Sequence, residues 1–216
     1  MHKIAIFDID GTLIKEQSQK LFLHFLLKKK IIGYFFFLRI YIWFIFYKLH
    51  IVKNPRVVMD KVALFLKGKS VVFVKDTTEA FFNSVLMSFF DKNIVDILYK
   101  KRDARYRVIL VSNAFDFLVS RISEYLQVTD FLATKPEIKN GFFTGHLEHV
   151  MYGENKVTHL NEFLNIENIK LTESFVYTDH HSDLLMLELV DNPVLVNPDK
   201  ILMKIGEQRG WEIINT

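Results

Sequence analysis

The sequence predicts an α/β fold, in which a mostly parallel sheet carries helices on both faces and a helical insertion follows the first strand. Short β-branched or aromatic runs alternate with longer segments of helical period, which is typical of right-handed βαβ units. The first run is apolar throughout, as expected of a central parallel strand. Residues 14–90 contain helical patterns and no convincing strand, which predicts the insertion.

The strand candidates are residues 3–9, 107–112, 174–179, 193–196 and 212–214. The helix candidates between them are residues 115–126, 155–164, 183–189 and 199–209. Asn140 and Gly141, at the centre of residues 137–144, predict a β-hairpin with a tight turn.

The insertion divides into four helical segments, at residues 18–30, 31–52, 55–66 and 77–90. Pro55 suits a first helical turn, and Thr77 or Thr78 suits an N-cap with Glu79 close behind. The sequence therefore predicts a core of residues 1–13 and 91–216 and a helical cap of residues 14–90.

Composition limits the classes of function. Half of the 216 residues are hydrophobic and a quarter are charged, which excludes global disorder. The formal charge of +3 has no long basic tract behind it, so we expect no nucleic-acid partner. The chain has no cysteine, which excludes disulfides and thiolate metal sites. The first residues lack the features of a secretory signal, and we expect a cytoplasmic protein.

Two carboxylates follow the first predicted strand. Asp8 and Asp10 are two residues apart, so they share a face while Ile9 enters the core. Open parallel sheets bind ligands at the carboxyl ends of their strands. Two acidic groups so close repel each other unless a cation or a shared proton intervenes. Taken alone, the segment would also suit a strand that ends in an Asx-type turn.

Three further segments carry polar residues at predicted strand or helix ends. Ser112 and Asn113 end one strand, Lys156 lies in a first helical turn, and Asp179 and Asp183 follow another strand. Each alone has an ordinary explanation, such as a helix cap or a solvated lysine. In chain order, and with the Asp-x-Asp-Gly-Thr-Leu segment, they resemble the four motifs of the haloacid dehalogenase (HAD) superfamily of phosphohydrolases.

The resemblance implies a HAD-like Rossmannoid core with a C1-type cap and a phosphatase that works through an aspartyl-phosphate intermediate. Asp8 would be the nucleophile, and Asp10 would act as general acid and then as general base. Mg²⁺ would be held by Asp8, by the backbone carbonyl of Asp10 and by Asp179.

The resemblance also assigns the remaining polar residues. Ser112, Asn113 and Lys156 would bind the phosphate group, with Lys156 offsetting the charge of the transition state. Thr12 and Asp183 would support the site.

The position of the insertion and the motif forms resemble the phosphoserine-phosphatase branch, subfamily IB. That branch generally has an acidic residue nine positions after the nucleophile, which holds the amine of the substrate. Here that position is Gln17, preceded by Glu16. These two residues are the candidates for substrate specificity, and the departure disfavours phosphoserine itself.

The aromatic segment 31–52 has two interpretations. It is long enough to reach across a bilayer, yet it contains Arg39 and Lys48, and a central charge costs about 2.5–3.5 kcal/mol on insertion. Basic residues on both sides favour helices that lie on an anionic membrane surface. Alternatively, the apolar helices bury one another over the catalytic cleft. The substrate would be a small phosphorylated metabolite or, at the inner face of the membrane, a lipid head-group phosphate such as a phosphatidylglycerophosphate.

Two other functions remain compatible with the sequence. A phosphotransferase would pass the same aspartyl-phosphate to an alcohol, and a catalytically silent, membrane-associated module would keep only the fold. A silent module is expected to lose Asp8, Asp10, Lys156 or Asp179, and all four are present. The sequence leaves the oligomeric state open.

Overall fold

A computed structural model of the chain describes residues 3–48, 55–167 and 171–216. The strands are β1 (Ile4–Phe7), β2 (Arg107–Phe115), β3 (Asp130–Lys139), β4 (Phe142–His149), β5 (Phe175–Thr178), β6 (Asn192–Val196) and β7 (Glu212–Ile214). The helices are α1 (Ser18–Lys28), α2 (Tyr34–Lys48), α3 (Pro55–Ala63), α4 (Val71–Ser84), α5 (Lys92–Asp103), α6 (Asp116–Leu126), α7 (Glu154–Ile166), α8 (Leu184–Leu187) and α9 (Lys200–Arg209). Helix α5 is absent from the predicted elements; its N-cap is Asp91, whose side chain accepts a hydrogen bond from the Asn93 amide.

The strands form one sheet in the order β4-β3-β2-β1-β5-β6-β7. All neighbouring strands are parallel except β3 and β4. Strand β1 lies at the centre, where Ile6 pairs with Ile109 of β2 and with Val176 of β5. The predicted mostly parallel sheet is confirmed, and the carboxyl ends of β1, β2 and β5 lie side by side.

Helices cover both faces of the sheet, as predicted. Ala5 and Phe7 of β1 pack into one apolar cluster, which includes side chains of α1, α4, α5 and α6. Ile4 and Ile6 pack into the cluster on the opposite face, with side chains of α7, α8 and α9. The central strand is therefore buried on both sides, which explains why it is apolar throughout.

The start predicted for the last inserted helix is wrong. Helix α4 begins at Val71, and its N-cap is Ser70, whose side chain accepts a hydrogen bond from the Phe73 amide at 3.1 Å. Thr77 and Thr78 lie inside the helix and donate their hydroxyl hydrogens to carbonyls one turn earlier. These bonds satisfy the hydroxyls, so the threonines are accommodated in a helix that starts two turns before them.

The aromatic segment 31–52 contains α2, and its residues 49–52 lie outside the described residues. Within the described ranges, no helix is long and apolar enough to cross a membrane. The division into a core and a cap at residues 14–90 stays a prediction. Phe22 of α1 and Phe81 of α4 belong to the same buried cluster as Phe7 of β1, so the inserted helices and the sheet share one core.

The predicted hairpin at residues 137–144 is longer in the structure, where it comprises β3 and β4. Its turn is at Asn140 and Gly141, both with positive φ, as predicted from these residue types. The first half of β3 pairs in parallel with β2. That pairing has no clear sequence signal, because Pro136 and its charged neighbours interrupt the strand pattern.

Candidate active site

The site lies at the carboxyl end of β1. The backbone N–H of Asp8 donates to the Tyr177 carbonyl at 2.9 Å, which extends the β1–β5 pairing by one residue and leaves the Asp8 side chain buried. After Asp10 the chain turns away from the sheet at Gly11, with φ of +91°. Asp10 Oδ1 accepts a hydrogen bond from the backbone N–H of Ser18 at 2.8 Å, which ties this carboxylate to the start of α1.

Lys156 joins two of the predicted carboxylates. Its Nζ lies 2.7 Å from Asp8 Oδ1 and 2.8 Å from Asp183 Oδ2, and all three side chains are buried. The Thr178 hydroxyl donates to the same Asp183 oxygen at 2.8 Å. Asp183 therefore orients the lysine while the lysine contacts Asp8.

Asp179 lies against the turn at Gly11. A Cβ atom added at Gly11 would lie 2.1 Å from Asp179 Oδ2, a separation that no side chain can adopt. Thr12 Oγ1 lies 3.5 Å from the other oxygen of Asp179. The missing side chain at residue 11 thus allows the carboxylate from β5 to approach the backbone that follows β1.

Ser112 and Asn113 lie at the end of β2. Ser112 is buried, and its Oγ accepts a hydrogen bond from the Ala114 amide at 3.1 Å rather than capping α6. The Asn113 carbonyl accepts hydrogen bonds from Thr134 Oγ1 at 2.8 Å and from Gln19 Nε2 at 3.2 Å. The last residues of β2 are therefore held by β3 on one side and by α1 on the other.

Three carboxylates of the site, those of Asp8, Asp10 and Asp179, have raised pKa values. Burial raises the pKa of Asp8 to about 7, with the Asp183 charge adding to it and the Lys156 charge opposing it. Burial also raises the pKa of Asp10 to about 6 and, together with the charge of Asp8, that of Asp179 to about 8. Burial alone would lower the pKa of Lys156, but the carboxylates of Asp183 and Asp8 outweigh it and raise that pKa.

This donor set fits a hard divalent cation. The single positive charge of Lys156 is smaller than the summed negative charge of four ionised carboxylates, those of Asp8, Asp10, Asp179 and Asp183. The cluster therefore carries excess negative charge when these groups are ionised. Mg²⁺ prefers oxygen ligands, and the site offers carboxylates on two adjacent strand ends. The close approach of Asp179 to Gly11 brings one of these carboxylates to the backbone that directly follows Asp10.

Four residues of the site were missed by sequence reasoning. Ser18 and Gln19 contact Asp10 and the Asn113 carbonyl from α1, and Thr178 holds Asp183. Thr134, fully buried, bonds the Asn113 carbonyl and accepts from the Met151 amide. Thr178 was detectable as a polar residue at a strand end, whereas the role of Thr134 depends on the unpredicted β2–β3 pairing.

Glu16 and Gln17, the specificity candidates, are exposed just before α1. Glu16 Oε2 lies 3.9 Å from Lys20 Nζ on the protein surface. The side chain of Gln17, the N-cap residue of α1, makes no capping hydrogen bond. The residues that reach the site from this part of the chain are instead Ser18 and Gln19.

Two histidines directly follow Asp179 in the chain. His180 is the N-cap of a short 3₁₀ turn that begins at His181, and the centroids of their rings are 4.3 Å apart. His181 Nδ1 is 2.8 Å from Asp199 Oδ2, and His180 Nδ1 accepts from the Ser182 amide. With Asp199 they form a cluster of metal-ligand type, but the Asp199 oxygens already accept hydrogen bonds from His181 and from the first turn of α9.

The arrangement agrees with comparisons to known proteins. The family model of haloacid dehalogenase-like hydrolases matches residues 5–188, which include every predicted motif. The chain belongs to this hydrolase family. The family predicted from the sequence is confirmed, and with it the α/β fold class of this enzyme.

Two curated relatives are phosphatases by name. A probable phosphatase of Mycobacterium tuberculosis is 33% identical over 108 residues, which cover 50% of this HAD-like hydrolase and only 38% of that protein. A phosphoserine phosphatase of the same organism is 27% identical over 218 residues, covering 97% of this chain and 69% of that one. The second match supports the predicted phosphoserine-phosphatase-like branch.

Two solved structures share the fold over nearly the whole chain. A Bordetella pertussis protein of unknown function has a TM-score of 0.92 at 25% identity, with 99% of this chain and 98% of that one covered. A phosphoserine phosphatase, solved as an analogue of the phospho-aspartyl intermediate, has a TM-score of 0.69 at 18% identity, with 99% and 93% covered. The insertion after β1 therefore belongs to a known arrangement of this fold.

Proposed function

We propose that this HAD-like hydrolase is a phosphomonoesterase that transfers the phosphoryl group of its substrate first to Asp8 and then to water. The contact between Lys156 Nζ and Asp8 Oδ1, at 2.7 Å, is the observation that carries the proposal. This contact fixes the Asp8 carboxylate, at the end of the central strand, beside the Lys156 ammonium group. That ammonium group would offset the negative charge of a phosphoryl group.

In the first step, a carboxylate oxygen of Asp8 attacks phosphorus, and the bond between phosphorus and the leaving oxygen breaks. Asp10 donates its proton to that oxygen, so the alcohol leaves neutral. Its pKa of about 6, raised by burial, keeps a protonated fraction near neutral pH. In the second step, Asp10 accepts a proton from water while the water oxygen attacks phosphorus, which frees Asp8 and releases phosphate.

We assign Mg²⁺ to the carboxylates of Asp8 and Asp179 and to the backbone carbonyl of Asp10. When bound, it would offset the charge of the phosphoryl oxygens and of the carboxylates. Asp183 and Thr178 hold Lys156 in place. Thr12 supports Asp179 from the turn after β1.

We assign the phosphate oxygens to Ser112, Lys156 and the backbone amides near Asn113. Because Ser112 Oγ accepts from the Ala114 amide, its own hydrogen remains available for a phosphate oxygen. Gln19 and Thr134 fix the Asn113 carbonyl, which supports the orientation of this end of β2.

The proposed substrate is a small phosphorylated metabolite or a lipid head-group phosphate. Peripheral contact of residues 31–52 with the inner face of the membrane is part of the lipid alternative.

The first test is Mg²⁺-dependent release of phosphate from p-nitrophenyl phosphate and from a panel that includes phosphoserine and phosphatidylglycerophosphate in detergent. We expect Asp8→Asn and EDTA to abolish turnover, and Asp103→Asn, at an exposed site on α5, to leave it unchanged. Mass spectrometry of quenched enzyme should show one added phosphoryl group on Asp8. Turnover that survives Asp8→Asn would refute the mechanism, and transfer to added alcohols in place of water would indicate a phosphotransferase.

A further inference from the structure

One face of α2 consists of exposed apolar side chains. The members of this exposed α2 face are Tyr34, Phe35, Leu38, Tyr41, Ile42, Ile45 and Phe46. Their spacing of three and four residues places them along one side of the helix. Tyr34 is 63% exposed and Phe35 is 88% exposed, so large aromatic surfaces face outward.

The opposite side of α2 is apolar as well. Ile40 is fully buried, and Phe36 and Phe37 pack against the main hydrophobic cluster. The helix packs on α1 and α3. A surface helix normally carries polar residues on its outer side, and an apolar patch that is kept exposed usually marks an interaction site.

The charges around this helix are of one sign. Residues 17–59 contain eight Lys or Arg and no Asp or Glu, whereas the rest of the chain has 20 basic and 25 acidic residues. Lys28, Lys29 and Lys30 are exposed immediately before α2, and Arg39 is exposed on it. Within the described part of the chain, no carboxylate forms an ion pair with any of these four side chains.

We propose that the exposed α2 face docks on an anionic lipid surface. Aromatic side chains favour the boundary between head groups and acyl chains, and basic residues beside them bind anionic head groups. A second copy of the chain fits poorly, because a symmetric contact through this face would bring the two sets of unpaired basic residues together. An anionic lipid surface would both bury the apolar face and pair the basic residues with negatively charged head groups.

This docking deepens the proposed function by favouring its lipid alternative. Helix α1 connects the two regions: Ser18 at its start holds Asp10, Lys28 is its last residue, and the helix packs against α2. Eleven residues of helix span about 16 Å, so docking through α2 would place the catalytic site near the head groups. The substrate class that follows is a phosphomonoester carried by a membrane lipid.

Vesicle flotation tests the docking without depending on catalysis. The full chain is mixed with vesicles of phosphatidylcholine alone or of phosphatidylcholine with phosphatidylglycerol. We expect binding to the anionic vesicles, weaker binding at high salt, and little binding to neutral ones. The triple variant Phe35→Ser/Leu38→Ser/Ile42→Ser should lose most of the binding. Lys28→Gln/Lys29→Gln/Lys30→Gln should weaken it about a hundredfold, since each basic residue near the surface contributes about fivefold.

The matched control is Ile166→Ser/Ile201→Ser, which removes exposed apolar side chains from α7 and α9 and should leave binding unchanged. Circular dichroism establishes that each variant is folded. Asp8→Asn should bind vesicles like the unaltered protein, so a failed phosphatase assay and a failed docking assay are distinguishable. Equal binding by the α2 variants would overturn the proposal, as would a dimer that these substitutions dissociate in the absence of vesicle binding.

Discussion

Asp179 lies where a side chain of Gly11 would be, so the turn after β1 and the carboxylate after β5 fit together only because residue 11 has no Cβ. The hypothetical Cβ would be 2.1 Å from Asp179 Oδ2 and 2.5 Å from its Cγ. The positive φ of Gly11 adds a second constraint on the residue type.

Gly11→Ala should therefore displace Asp179 from the site. We expect phosphatase activity to fall about a hundredfold, as misplacement of a catalytic group by an ångström can do. The control is Gly33→Ala, because a Cβ at Gly33 meets nothing within 4 Å. Initial rates with p-nitrophenyl phosphate, measured beside thermal unfolding, separate loss of activity from loss of folding. Near-normal activity of the Gly11 variant would contradict this account.

Lys156→Met should destabilise the protein as well as inactivate it. The substitution leaves Asp8 and Asp183 buried without their cation, and breaking a buried pair on one side costs about 3–5 kcal/mol. The matched control is Lys135→Met, whose partner Glu148 is exposed and whose loss should cost less than about 1 kcal/mol. Urea unfolding near pH 8 gives both free energies of unfolding. Equal losses in the free energy of unfolding for the two variants would contradict the presence of buried charged carboxylates around Lys156 at this pH.

Mg²⁺ should raise the melting temperature more at about pH 8 than at about pH 5. Asp8 and Asp179 have pKa values of about 7 and about 8 in the folded protein, raised mainly by burial. A carboxyl group with a raised pKa binds more protons in the folded protein than in the unfolded one. The free energy of unfolding therefore falls as pH rises from about 4 to about 8. Mg²⁺ favours the ionised forms, so its effect should grow over the same window.

Differential scanning fluorimetry with and without MgCl₂ measures this difference. Asp179→Asn serves as the control, because it removes one proposed ligand and should shrink the Mg²⁺ shift at the higher pH. If the increase in melting temperature caused by Mg²⁺ is independent of pH and unaffected by Asp179→Asn, the ion binds outside the proposed site.

Asp10→Asn should separate the two chemical steps. Nitrophenolate leaves without a general acid, so the first step persists, whereas attack by water on phosphorylated Asp8 lacks its base. We expect a burst of about one equivalent of nitrophenolate followed by turnover slowed at least about a hundredfold. Stopped-flow absorbance detects the burst, and Asp8→Asn should show none. Steady turnover without a burst would argue against Asp10 as the base.

Thr134→Val should weaken the end of β2 that carries the proposed phosphate-binding residues. The hydroxyl of Thr134 bonds the Asn113 carbonyl and the Met151 amide, and its removal should cost about 1–3 kcal/mol of stability. Thr158→Val, which removes an exposed hydroxyl bond on α7, should cost little. If Thr134 positions this end of β2, KM should rise along with the loss of stability; an unchanged KM would restrict its role to folding.

Local patterns were sufficient for much of the fold. The apolar run of β1 and the turn at Asn140 and Gly141 depend on residues near one another in sequence, and they predicted elements that the structure confirms. The start of α4 was missed because Ser70 and Thr77 are both acceptable N-caps. The first half of β3 was missed because a long-range pairing with β2, rather than its own composition, makes it a strand.

By itself, the sequence determined the HAD-like α/β fold and predicted the set of polar residues at the strand ends, because strand alternation and βα connections follow from local chemistry. Tertiary structure alone decided which of these residues touch: that Lys156 bridges Asp8 and Asp183, that Gly11 makes room for Asp179, and that Gln19 rather than Gln17 reaches the site. It also decided which side of α2 is exposed, since a helix that is apolar all round has no periodicity from which its buried side can be predicted. These relationships join residues far apart in the chain, and only the packing of helices on the sheet brings them together.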